Sequence, residues 1–128
     1  MNEPAKITRI NDTDPDVAAR KLPFNLEAET AFLGAVLIDN RVIEELPVPI
    51  RPEHFFEPVH QRIYGRIQQL LDRNAVVTPV TLKPYFETDE GLKELGGTAY
   101  LARLTADGQG LLNPRELAEQ IYDLALLR

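Results

Sequence analysis

Residues 31–38 read AFLGAVLI, eight consecutive positions without a polar side chain. Helix-start signals stand just ahead of them: Asn25 can serve as an N-cap, and Glu27 and Glu29 suit the positive end of a helix dipole. A helix that is apolar all round has no face to give to water, so the rest of the chain has to enclose it. The run is far shorter than the roughly 20 residues a membrane span needs. Gly34 lies inside it at a cost in helix propensity, which points to a neighbour that approaches closely there.

A chain of 128 residues is long enough to build that enclosure as one domain without staples. Residues 1–22 are polar and non-periodic and carry two prolines, so they read as a flexible tail, with no signal core and no polybasic block. Order is expected over residues 23–128. A short helix, RVIEEL, stops at Pro47, and PVPIRPEHFFEP holds four prolines in twelve residues, which demands irregular or short-helical chain. Helical period returns in VHQRIYGRIQQLLDRN, with Val59, Ile63, Ile67 and Leu70 on one stripe. Thr78-Pro79 reads as a cap and first turn, and Pro84 predicts a bent or restarted helix. TDEGLKEL forms one more short helix ended by Gly96-Gly97, and Thr98 caps AYLARLTAD. Asn113, Pro114 and Glu116 signal the last start, and Leu117, Ile121 and Leu124 follow on one stripe that runs to Arg128 without a stop signal. No alternating strand pattern occurs. The expected fold is all-α: a compact head of short helices (residues 23–97) and a C-terminal antiparallel helical hairpin (residues 98–128) whose second helix is truncated.

The chemistry is sparse. There is no cysteine, which fits a reducing cytosol and removes thiolate zinc sites, and there is no serine nucleophile. The seven glycines form neither phosphate-binding motif, so this chain encodes no nucleotide cradle. Glu57-x-x-His60, with His54 nearby, has the spacing of helical di-iron sites. Such sites take two of these motifs and two further glutamates, and here one motif stands alone with Pro58 inside it. The histidines therefore read as flanking a helix start, and no metal or cofactor is expected. Net charge is −6, with all of the acidic excess beyond residue 22, the wrong sign for tracking phosphates; no direct nucleic-acid partner and no membrane is expected.

What remains is interaction. Tyr100, Leu101, Leu104, Leu117, Ile121 and Leu124 supply many apolar groups for one hairpin, and spacing alone does not separate an intramolecular core from an oligomer seam. The seam candidates are Leu101, Leu104, Leu117, Ile121 and Leu124. Glu27, charged beside an apolar run, and Tyr100, an aromatic with a polar tip, are candidates for a partner surface.

The blocks LPFNLEAETAFLGAVLID, PEHFFEPVHQRIYGRIQQLLDRN, VTPVTLKPYFE, LKELGGTAYLARL and LAEQIYDLALLR, taken in order, resemble the N-terminal domain of the DnaB-type bacterial replicative helicase. The resemblance covers residues 22–128; Pro84 departs from an expected helix former. It implies a non-catalytic collar domain of a ring hexamer. The RecA-like ATPase motor, with its ATP and Mg, would lie beyond this chain. It further implies pairing with other copies of itself, recruitment of primase, for which Glu27 and Tyr100 are the candidate contacts named above, a helicase loader as a further partner, and a cytoplasmic, nucleoid-associated setting. The alternative is the helicase-docking domain of a bacterial primase, which has a similar all-α fold; the E-A-E and G-G-x-A-Y-L signatures favour the helicase side.

Overall fold

The structure, a computed structural model, describes residues 24–110 and 113–128. The expected tail at residues 1–22 lies outside them, as do Leu111 and Leu112. Every regular element among the described residues is helical: α1 (Leu26–Ile38), 3₁₀ turns at Asn40–Glu45 and Pro52–His54, α2 (Pro58–Asp72), α3 (Pro79–Phe86), α4 (Glu90–Glu94), α5 (Ala99–Gly108) and α6 (Pro114–Leu127).

The caps are mostly those the sequence signals. Asn25 accepts from the Ala28 N–H at 3.0 Å, Asp89 from Leu92 at 2.9 Å and Asn113 from Arg115 at 2.8 Å. Thr78 and Thr81 close a reciprocal box at the start of α3. Thr98 differs: it already has helical dihedrals and makes no side-chain cap bond. RVIEEL is a 3₁₀ turn rather than an α-helix. The residue that opens the turn, Asn40, donates to the carbonyls of Val36 and Val77 and accepts from the Val77 N–H, pinning the α2–α3 loop to the end of α1. α3 runs unbroken through Pro84. The carbonyl that Pro84 leaves without a partner belongs to Val80, which is exposed and open to water, so the helix does not restart.

α1 is the axis of the domain. From Phe32 to Leu37 every residue is buried. α5 and α6 both pack on α1, each more extensively than on the other. The closest approach is at two glycines: a Cβ on Gly34 would sit 1.7 Å from the Leu104 carbonyl oxygen, and one on Gly108 would sit 2.3 Å from the Gly34 carbonyl carbon. The close neighbour expected at Gly34 is thus the backbone of α5 itself.

This packing decides which way the apolar stripes of the last two helices face. Leu101, Leu104, Leu117 and Ile121 are buried in the same core cluster as Phe32, Leu33 and Val36, so α5 and α6 complete the head instead of leaving it. The reason is geometric. An enclosed helix needs apolar cover on several sides, and the two stripes are that cover.

Candidate partner-binding site

Two glutamates two residues apart at the start of α1 meet opposite fates. On a helix their directions differ by about 200°, so one faces solvent when the other faces the core. Glu27 is exposed and lines a shallow hollow with Thr30, Ala31 and Asp107 of α5. Glu29 is 2% exposed.

The buried carboxylate survives because donors surround it. Its Oε2 accepts from the Phe56 N–H at 2.7 Å, and its Oε1 from the Glu57 N–H at 3.3 Å and from His60 Nδ1 at 2.8 Å. His60, 1% exposed on α2, reaches Tyr100 Oη with Nε2 at 2.7 Å. With Nδ1 donating to the carboxylate, Nε2 of a neutral ring accepts the Tyr100 proton. Burial first, then the nearby Glu57 charge, push the Tyr100 hydroxyl up to about 12, so it stays protonated and donating at neutral pH. The chain Glu29–His60–Tyr100 ties α1, the Phe56–Glu57 backbone, α2 and α5 together.

Tyr100 is therefore held from below and half-exposed above. Its ring lies nearly parallel to the His60 imidazole, with centroids 6.0 Å apart, and the Arg103 guanidinium sits 5.3 Å from its centroid. Tyr100, Arg103 and Asp107 fall at i, i+3 and i+7, one face of α5. Asp107 at the far end of that face meets Glu27 and Thr30. The two partner-surface candidates thus lie along one mixed-charge face of α1 and α5.

The seam candidates do not join them. Leu101, Leu104, Leu117 and Ile121 are core, and Leu124 is half-buried. The exposed leucines of α6 are Leu126 and Leu127, at 66% and 72%. The metal-like trio is also dispersed in role. His54 Nδ1 accepts from the Arg51 N–H at 2.9 Å, Glu57 caps α2 through the Val59 N–H at 3.1 Å, and both His60 nitrogens are engaged.

Glu29 and His60 are the residues that sequence reasoning assigned too little. Both carried a signal. A glutamate two positions from an exposed one must face inward beside an all-apolar run, and His60 interrupts the buried flank of α2 next to Val59 and Ile63.

Residues 21–123 match the DnaB-like helicase N-terminal domain family. The chain is similar to the replicative DNA helicase DnaB of Rickettsia bellii, 40% identical over 118 residues, covering 92% of this chain and 24% of the relative. The same protein of Geobacillus stearothermophilus is 31% identical over 106 residues, covering 83% and 23%. The chain thus spans about a quarter of the length of the curated relatives it matches. Among solved structures, the N-terminal domain of DnaB helicase from Mycobacterium tuberculosis superposes with a TM-score of 0.74 at 30% identity, covering 84% of this chain and 78% of that one. A DnaB-like replicative helicase, solved in a study of its interactions with primase, gives 0.67 at 29% identity, covering 81% and 24%.

Proposed function

The chain belongs to the DnaB-like helicase N-terminal domain family, and from that premise we propose that it is the non-catalytic collar domain of a replicative DNA helicase. In that reading it assembles the ring tier with other copies of itself and recruits primase in the cytoplasm. Unwinding, ATP and Mg belong to a motor outside this chain, and a helicase loader is a further partner of the whole protein. The observation that carries the reading is the likeness, at 29% identity, to a replicative helicase described with its primase interactions.

The face of α1 and α5 suits the role. Tyr100 is fixed by its hydroxyl bond to His60, so its ring loses little freedom when a partner covers it. Glu27 offers an exposed carboxylate to a basic group, and Arg103 a guanidinium to an acidic one. Docking there disturbs none of the core.

Two substitutions in the full helicase test the surface. Glu27→Ala is expected to weaken primase binding severalfold with an unchanged thermal midpoint. Tyr100→Phe keeps the ring and removes the buried hydroxyl bond, so it should lower the midpoint and leave primase affinity nearly intact. Unchanged primase affinity in Glu27→Ala would remove this residue from the proposed contact.

A further inference from the structure

Although the domain is acidic, one face of α2 is not. Arg62, Arg66, Gln69 and Arg73 recur at i, i+4, i+7 and i+11, a polar stripe along α2 to its C-cap. Beside it runs a groove whose walls include Arg62, Gly65, Arg66, Gln69, Tyr85 of α3 and Asp89.

The three guanidiniums are not equivalent. Arg62 is consumed: it grips Asp89 through two bonds of 2.8 Å, and Asp89 in turn caps α4. Arg66 and Arg73 make no ion pair with any carboxylate among the described residues. Arg66 lies over the Tyr85 ring, 4.4 Å from its centroid, and Tyr85 itself is 45% exposed. An aromatic left that open under a guanidinium with no carboxylate partner, with a second such guanidinium two turns further along the same stripe, is an arrangement the fold of a chain of net charge −6 does not need.

We propose that this α2–α3 groove is a docking site for an acidic peptide segment of another protein, whose carboxylates engage Arg66 and Arg73 and whose apolar side chain covers Tyr85. Charge complementarity selects the sign of the ligand, and three features select peptide over nucleic acid. Arg66 already covers one face of the Tyr85 ring, where a base would stack. The Asp89 carboxylate in the groove wall, held by Arg62, breaks the unbroken basic surface that a continuous phosphate chain tracks. Two uncommitted guanidinium forks also match discrete carboxylates better than a polyanionic track. The groove involves α2 and α3, not the α1–α5 face, so it stands or falls apart from primase recruitment.

Fluorescence anisotropy with the 128-residue chain tests it. The probe is a fluorescein-labelled peptide in which a run of aspartates precedes a phenylalanine, and the comparisons are its asparagine counterpart and a labelled oligothymidylate. Saturable binding of the aspartate peptide is expected, weakening with added salt and absent for the asparagine peptide. Arg66→Glu and Arg73→Glu should each weaken it by about tenfold or more, with a thermal midpoint near that of the parent chain. Arg66→Lys, which keeps charge but loses the fork, should fall between. Arg73 is exposed, so Arg73→Glu reads the site even if Arg66→Glu perturbs Tyr85. Absence of saturable peptide binding, or binding indifferent to both reversals, would overturn the proposal. Tighter binding of oligothymidylate, lost in the same variants, would reassign the groove to nucleic acid.

Discussion

Glu29 is a carboxylate only 2% exposed on the first helix, yet it is met by two backbone N–H groups and His60. Removing it strands those donors, and stranded buried donors cost more than the net worth of the bonds. Glu29→Ala should lose about 3 kcal/mol in urea denaturation, and Tyr100→Phe, which strands only His60 Nε2, about 1 kcal/mol. Equal effects of the two would mean that the carboxylate is not the hub. Asp89 makes a different prediction. The Arg62 guanidinium, and then the α4 backbone, hold its carboxyl below the usual carboxylate range. A group depressed in the folded state adds stability above its unfolded value and loses it as pH falls through the folded one. The thermal midpoint should therefore drop on acidification below about pH 5, and the drop should be shallower in Asp89→Asn. Parallel curves for the two chains would assign the acid sensitivity elsewhere.

At the scale of elements, stability turns on the contact between α1 and α5. Gly34→Ala adds a methyl where the Leu104 carbonyl already stands, so helix backbones must separate. Although alanine is the better helix former, the variant should lose about 3 kcal/mol or fail to fold. Gly65→Ala is the internal control. Its added Cβ meets nothing nearer than Pro52 Cγ at 3.6 Å, so the propensity gain survives and the variant should be more stable by about 0.5–1 kcal/mol. Calorimetric melts of both decide it, and a tolerated Gly34→Ala would contradict the packing. Much of this was legible beforehand. The apolar run predicted an enclosed α1, Gly34 predicted a close neighbour, and the caps at Asn25, Thr78 and Asn113 marked helix starts. Gly108 carries no such signal, because its partner lies 74 positions away in sequence, a separation that no local pattern reports. For the same reason the stripes of α5 and α6 could not declare whether they faced α1 or another chain.

For the whole molecule, the burial of Leu101, Leu104, Leu117 and Ile121 changes how self-association is tested. Ile121→Asp puts a charge at a position 2% exposed and should unfold the domain, whatever its oligomeric state. Leu126→Asp and Leu127→Asp alter exposed positions near the end of α6 and should leave the thermal midpoint unchanged. Two leucines offer little apolar area against the cost of association, so sedimentation equilibrium should find a monomer or a weak dimer that these two variants abolish. A tight hexamer insensitive to them would contradict that. The claim that this domain recruits primase has a more direct test: calorimetric titration of the 128-residue chain with a bacterial primase and, in parallel, with a replicative helicase. Saturable binding to primase, weakened by Glu27→Ala at an unchanged thermal midpoint, is the expected result. Binding to the helicase with none to primase would contradict the proposed role and assign the chain to the primase side of the same encounter.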